Sequence, residues 1–187
     1  GIDAISFVGS SPVAHVIQDT GTSHGKRVQA LGGANNHAIV MPDADIEFAA
    51  QHISAGAFGA AGQRCMALPV IVAVGGVEEK LFPAIKARAE KIVVGPGTDP
   101  AAEMGPVITR SSLQRIEEWI ADAEAAGARV VLDGRGHRPE GEEFADGFWL
   151  GPTILDEVDR GLRVYREEVF GPVLVVVRAG TYEEAIE

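Results

Sequence analysis

The sequence predicts an α/β fold in which a largely parallel sheet is covered by helices on both faces. Short apolar runs alternate along the chain with amphipathic segments of helix length, which is the pattern typical of such a fold. Gly and Ala are abundant, and small residues suit close packing of helices on a sheet. The 187 residues, of which 46% are hydrophobic, are enough for one domain with a substantial core.

The chain begins as strand, helix, strand and strand. The strands are expected over 2–8, 26–31 and 37–41, and each is followed by a turn that contains Gly or Pro. Ser and Pro after the first strand favour a helix start. A helix is therefore predicted to run to about Asp19, with Gly21 as its stop.

A long helix is predicted over 43–61, because apolar residues recur there at spacings of three and four. Asp43 and Asp45 lie at the N-terminal end, where acidic side chains are favourable, and Gly62 is a natural stop. Cys65 would then lie in the connection to a strand predicted over 70–74. Connections of this kind often carry the chemistry of α/β proteins.

The rest of the chain continues the alternation. Further helices are predicted over 77–92 and 111–126, strands over 129–132, 148–155 and 173–178, a Gly/Pro-rich loop over 95–106 and a polar, exposed excursion over 134–147. The first residues read as the middle of a strand and the last ones as the start of a helix. The sequence is therefore expected to be an excised domain or a processed fragment.

Composition narrows the class of partner. The formal net charge of -11 argues against nucleic acid and against an anionic membrane surface, although a single local Arg can still bind an anionic metabolite. No apolar run reaches about 18 residues, so no membrane span is predicted. The single cysteine excludes an intrachain disulfide and fits a reducing compartment. The histidines show no metal-ligand spacing, so no metal site is expected.

The residues around Cys65 carry the strongest chemical signal. A lone cysteine is most often a small buried hydrophobe, but three motifs occur here in order: Phe-Val-Gly-Ser over 7–10, Ala-Gly-Gln-Arg-Cys-Met-Ala over 61–67 and Glu-Glu-Val-Phe-Gly-Pro over 167–172. Together they resemble the aldehyde dehydrogenase superfamily over essentially the whole chain. The resemblance implies that Cys65 is the catalytic nucleophile, which attacks an aldehyde and forms a thioester. Its backbone N–H would be one donor to the oxyanion.

The same resemblance implies a site for the coenzyme NAD. Gly9 and Ser10 would hold a phosphate at a helix N-terminus, and Gly32 is also expected to bind the coenzyme. Glu168 would accept hydrogen bonds from the nicotinamide ribose, and Phe170 would pack beside the nicotinamide. The alternatives are a simple capped helix at Ser10, a solvated acidic pair at Glu168 and a core position for Phe170.

The implied domain division follows from these motifs. Residues 1–30 are expected to be the end of a coenzyme-binding region, and residues 31–187 the catalytic domain that bears the nucleophile. By the same resemblance, the parent protein is expected to be a homo-oligomer, a tetramer. It is expected in the cytoplasm, or in the mitochondrial matrix of a eukaryote.

Ala30 is the main departure from the hydrolytic members of the superfamily. Where they typically have Glu-Leu-Gly-Gly, this chain has Ala-Leu-Gly-Gly over 30–33, and alanine cannot activate a water molecule as a general base. The methylmalonate-semialdehyde dehydrogenase branch resembles this chain in its Gly-Ala-x-Asn-His motif and around Cys65. That branch releases its product as a thioester of coenzyme A, so coenzyme A is the expected co-substrate. Asn35 replaces the usual Lys of the branch.

Arg64 gains a role from this resemblance, because the substrates of that branch, malonate and methylmalonate semialdehyde, carry a carboxylate. A guanidinium beside the nucleophile can hold a carboxylate with two parallel hydrogen bonds. Arg64 is therefore expected to bind the substrate, and the alternative is a structural ion pair. His37 is expected to be structural.

Three functions remain open from the sequence. The first is NAD-dependent oxidative acylation of a semialdehyde to an acyl-coenzyme A through a thioester on Cys65. The second is a hydrolytic NAD(P)-dependent aldehyde dehydrogenase with a relocated base. The third is a non-catalytic domain or an inactive isolated fragment that keeps the fold for assembly or binding.

Overall fold

The computed structural model describes residues 1–187, which divide into one unit of residues Gly1–Ala34 and a second of residues Asn35–Glu187. The division falls a few residues beyond the position expected from the motifs. What each unit binds stays a prediction.

The first unit contains two parallel strands and one helix. The strands are β1 (Ala4–Val8) and β2 (Arg27–Leu31), and the helix is α1 (Ser11–Ser23). The prediction that Gly21 stops α1 is wrong, because the helix passes through it. Gly21 is buried beside Val28 of β2, where a Cβ would overlap the valine side chain. The glycine therefore provides close helix-on-strand packing and not a helix end.

The second unit is built on a five-stranded sheet. Its strands are β3 (His37–Val40), β4 (Val70–Val74), β5 (Arg129–Leu132), β6 (Thr153–Asp156) and β7 (Val173–Ala179), in the order β3-β4-β7-β6-β5. Only β5 and β6 are antiparallel, so the predicted, largely parallel sheet is confirmed. Every residue of β4 and β6 is buried. Since successive side chains of a strand point to opposite faces, both faces are covered.

Five helices and two short 3₁₀ turns accompany this sheet. The helices are α2 (Ile46–Phe58), α3 (Glu78–Ala89), α4 (Arg110–Ala125), α5 (Arg163–Arg166) and α6 (Tyr182–Ile186), and the turns are Gly59–Gly62 and Glu142–Phe144. None of the helices combines the length and the apolar composition that crossing a membrane requires.

Several predicted elements of this unit are shorter than expected, among them α3, which ends at Ala89 instead of residue 92. Helix α2 begins after Asp45, whose side chain accepts a hydrogen bond from the Phe48 amide, and it ends at Phe58 instead of residue 61. The strand predicted over 148–155 is wrong up to residue 152, because these residues bond to loops: the Phe148 carbonyl accepts from Val107, and the Gly151 amide donates to Gly134.

Candidate active site

The segment between α2 and β4 has an unusual backbone. Ala60 and Ala61 adopt left-handed conformations with φ of 52° and 53°, which L-residues rarely adopt. Gly62 follows with φ of 66°, and a Cβ on it would collide with the carbonyl oxygen of Gly171. The turn before Cys65 is thus pressed against the Glu-Glu-Val-Phe-Gly-Pro motif, so the structure brings two of the three sequence motifs together.

Asn36 holds the loop that carries Cys65. Its side-chain amide donates to the Cys65 carbonyl at 2.9 Å and to the Ala67 carbonyl at 2.8 Å. The Ala67 amide in turn donates to the Arg64 carbonyl at 3.0 Å, which closes a turn around the cysteine. No role for Asn36 is predicted from the sequence, although its place in the Asn-His pair of the motif is a signal that could have identified it.

Gln63 fixes the same loop from the other side. Its side-chain oxygen accepts from the Ile108 amide at 2.8 Å, and its side-chain nitrogen donates to the carbonyls of Ala60 and Pro106 at 3.3 Å. The residue preceding Arg64 therefore joins the turn to the segment that leads into α4.

Cys65 is presented by this loop with its side chain exposed. Its backbone N–H donates to no acceptor within the chain, since none of the hydrogen bonds of the loop starts from it. An exposed thiol beside its own free amide is the arrangement that attack on a carbonyl needs, because the developing oxyanion requires a donor.

Arg64 directs its guanidinium back toward the end of α2, against Gly59. It forms no ion pair in the chain, so the structural ion pair considered for it is not formed. The guanidinium borders a cavity of about 480 Å³ between α2 and α3, which Cys65 does not border.

The downstream motif is held by α4. The Arg115 guanidinium donates to the Val169 carbonyl at 2.8 Å, and a Cβ on Gly171 would meet the side chain of Ile116. Burial and the neighbouring Arg163 lower the pKa of Arg115 below its ordinary value. Phe170 has φ of 50° and is 39% exposed, so it is not a core residue.

Glu168, in the same motif, is half-buried. Its charge is close enough to Arg115 to act on the pKa of that guanidinium, in the direction that raises it. Glu168 is therefore not fully solvated, in contrast to the solvated acidic pair that is the alternative from the sequence.

The first unit contains the predicted coenzyme residues Gly9, Ser10 and Gly32. Ser10 precedes α1 without a side-chain capping bond, and the amides of Ser10, Ser11 and Val13 donate to no acceptor within the chain. A Cβ on Gly32 would lie 2.7 Å from the Ser11 hydroxyl. Free amides at a helix N-terminus, beside glycines that have no side chain, suit an anionic group such as a phosphate.

Ala30 is half-buried in β2, where it pairs with Phe7 of β1. It borders a cavity of about 390 Å³ whose other lining residues are Ser11, Ala14, His15, Gln18 and Gly32. No carboxylate lines this cavity, so no other acid takes the place of the missing glutamate there.

His37 and Asn35 lie at the start of β3 in the second unit. The His37 ring nitrogen Nδ1 is 2.9 Å from the Asn35 carbonyl, and its ring stands edge-on to Tyr165. The Asn35 side chain donates to the Tyr165 carbonyl at 2.6 Å. These contacts pack the start of β3 against Tyr165, so Asn35 and His37 have a structural role.

Comparison with known proteins supports the motif interpretation. The sequence profile described as "Aldehyde dehydrogenase family" matches residues 1–187. Malonate-semialdehyde dehydrogenase 3 of Geobacillus kaustophilus (strain HTA426) is 47% identical over 186 residues, which is 100% of this chain and 38% of the relative. This chain therefore spans well under half of that relative's length.

Comparison with solved structures gives the same result as comparison of the sequences. The crystal structure of methylmalonate-semialdehyde dehydrogenase from Oceanimonas doudoroffii has a TM-score of 0.94 and 46% identity, over 99% of this chain and 38% of that chain. Betaine aldehyde dehydrogenase from Staphylococcus aureus, solved in complex with NAD⁺, has a TM-score of 0.90 and 33% identity, over 99% of this chain and 36% of that chain. The resemblance drawn from the three motifs is confirmed, and the chain belongs to the aldehyde dehydrogenase family.

Proposed function

We propose that the protein carrying this chain oxidises malonate or methylmalonate semialdehyde with NAD and releases the product as a thioester of coenzyme A. The names of the relatives support the oxidation and the substrate class. The acylating step is supported by Ala30, because this alanine replaces the glutamate of the hydrolytic members and borders a cavity that no carboxylate lines. Water would have no glutamate to activate it there, whereas a thiol needs less help near neutral pH.

The first step belongs to Cys65. Its thiolate attacks the carbonyl carbon, a C–S bond forms, and the carbonyl electron pair moves to the oxygen. The free backbone N–H of Cys65 donates to this oxyanion. Bound NAD would accept the hydride, after which the C=O bond is restored and a thioester remains on the sulfur.

The second step releases the acyl group. The thiolate of coenzyme A attacks the thioester carbon, its own C–S bond forms, and the bond to Cys65 breaks. The cysteine leaves as a thiolate and is ready for the next aldehyde. The hydrogen bonds from Asn36 to the loop keep the sulfur in position through both attacks.

Several residues would bind the ligands of this reaction. Gly9, Ser10 and Gly32 would hold a phosphate of NAD at the start of α1, and Glu168 and Phe170 would bind its nicotinamide-ribose end. Arg64 would bind the carboxylate of the semialdehyde, and its support is a guanidinium without an ion-pair partner in the chain.

Product analysis tests the proposal. A protein of the relatives' full length that contains this chain is incubated with malonate semialdehyde and NAD, with and without coenzyme A. We expect an acyl-coenzyme A product, and faster NADH formation when coenzyme A is present. Free acid as the sole product, at a rate that coenzyme A does not change, would refute the acylating assignment.

Three variants sharpen this experiment. Ala30→Glu restores the carboxylate that hydrolytic members have at this position, so it should shift the product toward free acid. Cys65→Ala should abolish NADH formation under both conditions. His15→Gln tests the hydrolytic alternative, because His15 is the one ionisable side chain that borders the cavity beside Ala30. If His15 were the relocated base, this variant should release free acid more slowly.

A further inference from the structure

The cavity between α2 and α3 has the dimensions of a ligand site. It is lined by α2, by the end of α3 and by Glu103 and Met104, and its volume is about 480 Å³. Small-molecule pockets in proteins fall roughly between 300 and 1,000 Å³. Phe58 and Met104, which are 1% and 2% exposed, form an apolar part of its wall. We call it the α2–α3 cavity.

The border of the α2–α3 cavity is basic. Arg64, Arg88 and Lys91 line it, and Glu103 is its one carboxylate. That carboxylate already accepts a hydrogen bond from the Val93 amide at 3.2 Å. Arg88 pairs with Glu47 at 2.9 Å, whereas Arg64 and Lys91 form no ion pair. In a chain of net charge -11, this local excess of positive charge would attract an anion.

Ser54 supplies a second, independent observation. It lines the cavity from α2 and is 6% exposed, yet its hydroxyl has no hydrogen-bond partner. A serine inside a helix ordinarily satisfies its hydroxyl on the carbonyl four residues earlier. A buried hydroxyl without a partner costs free energy. An acceptor oxygen of a ligand in the cavity would remove that cost.

We propose that the α2–α3 cavity is an anion-binding site for a carboxylate or phosphate group. Ser54 donates a hydrogen bond to the anion, and Lys91, together with Arg88 and Arg64, supplies the positive charge. The carboxylate of a small metabolite and a phosphate of coenzyme A are the two sources, and the second of them rests on the proposed function. The anion site itself does not depend on it.

Methyl NMR tests the site without turnover. The methionine methyl groups of the full-length protein are labelled with ¹³C, and the Met104 signal is assigned from Met104→Leu. Malonate and inorganic phosphate are titrated separately at constant ionic strength, because salt alone screens exposed charges. We expect a saturable shift of the Met104 signal with at least one of them.

Matched variants test the residues. Lys91→Gln should weaken anion binding about fivefold, the usual scale for losing one partly exposed charge contact. Lys80→Gln is the control, because Lys80 is an exposed lysine of α3, the helix that precedes Lys91, and does not line the cavity. Ser54→Ala should also weaken binding, since it removes the donor.

The outcomes of the malonate and phosphate titrations distinguish the two sources of the anion. A shift with malonate alone assigns the carboxylate, a shift with phosphate alone assigns the phosphate, and a shift with both supports a shared anion site. No saturable shift with either, or equal weakening by Lys80→Gln and Lys91→Gln, overturns the proposal. Binding is measured again in Cys65→Ala and should be unchanged. A protein that binds malonate at Met104 but forms no acyl-coenzyme A would contradict only the proposed function.

Discussion

Arg64 and Cys65 are neighbours in sequence, but their side chains have different surroundings: the thiol is exposed, and the guanidinium borders the α2–α3 cavity. A guanidinium without an ion-pair partner can turn toward a substrate carboxylate without first breaking a salt bridge. This freedom makes Arg64 a direct target for a specificity test.

Arg64→Leu should raise the KM for malonate semialdehyde about tenfold or more, because a charge-assisted hydrogen bond contributes about 1.5–3 kcal/mol. The KM for propanal, which has no carboxylate, should change much less. Steady-state kinetics on the full-length protein measure both values. Equal increases in the KM values for the two aldehydes would show that Arg64 does not bind the carboxylate.

Asn36 offers a second test at the residue scale. Asn36→Ala removes the two hydrogen bonds to the Cys65 loop, so kcat/KM should fall by about 10- to 100-fold, the effect expected when a reacting group is displaced by about 1 Å. Asn35→Ala is the matched control, because Asn35 bonds to Tyr165 and not to the loop.

The alkylation rate of Cys65 by iodoacetamide supplies a readout separate from turnover. If Asn36→Ala and Asn35→Ala alter both kcat/KM and the alkylation rate equally, Asn36 has no special positioning role.

The contrast between Cys65 and Asn36 shows what a sequence can predict about a site. Cys65 lies in a motif whose residue types are needed for one chemistry, so the pattern identifies it. Asn36 and Gln63 act through side-chain amides that bond to backbone groups 29 to 45 residues away. Any amide can make such bonds, and only the tertiary fold determines which carbonyls it meets.

At the scale of the elements, the end of α2 determines where Cys65 lies. The apolar spacing and the alanines favour a continued helix to residue 61, but the backbone turns left-handed at Ala60 and Ala61. Helix propensity could not predict this, because alanine is the best helix former and carries no turn signal. Gly62 lies against Gly171, so tertiary packing between these two loops outweighs the helix propensity of the alanines.

Gly62→Ala should therefore destabilise the second unit by more than about 3 kcal/mol, because a left-handed residue other than Gly costs about 1–2 kcal/mol and the methyl group would also collide with the Gly171 backbone. Gly76→Ala is the control. It has φ of 85° but nothing within 4 Å of an added Cβ, so only the conformational cost applies. Urea denaturation measures both. A cost for Gly62→Ala no greater than that for Gly76→Ala would contradict the role given to the loop contact.

At the scale of the whole molecule, the alternation of apolar runs and helices was sufficient to predict a largely parallel sheet, and the bounds of β4 and β5 agree with the prediction. The strand order was not predicted, because it depends on which strands meet across long connections. The antiparallel pairing of β5 with β6 is one such result. Asp156 is another, since nothing in its local sequence marks it as buried.

Asp156 links three neighbouring strands. It is fully buried at the end of β6 and pairs with Arg129 of β5 and Arg178 of β7, while Arg178 also pairs with Glu78 of α3 at 3.3 Å. Burial alone would raise the pKa of Asp156, but hydrogen bonds from Arg178 and Arg129 hold that pKa below its ordinary value. Hydrogen bonding to Asp156 likewise raises the pKa of Arg178. The network therefore couples the stability of the sheet to pH.

The sign of this coupling follows from the lowered pKa of Asp156. Above the unfolded-state pKa of about 3.9, the carboxylate is charged in both states and its pairs stabilise the fold fully. Below that pH the unfolded chain binds the proton first, and the stabilisation is lost as the pH falls through the folded-state pKa. Asp156→Asn should therefore cost about 3 kcal/mol at pH 7, the low end for breaking a buried pair, because both arginines are partly exposed.

The difference in free energy of unfolding between the wild type and Asp156→Asn should shrink as the pH falls below about 4. Asp133→Asn is the control, because Arg135 also lowers the pKa of Asp133 through a hydrogen bond, but that pair is partly exposed and should contribute less than about 1 kcal/mol. Urea denaturation at pH 7 and pH 3 measures each variant. A cost of Asp156→Asn that is the same at both pH values would show that the aspartate acts through packing and not through its charge.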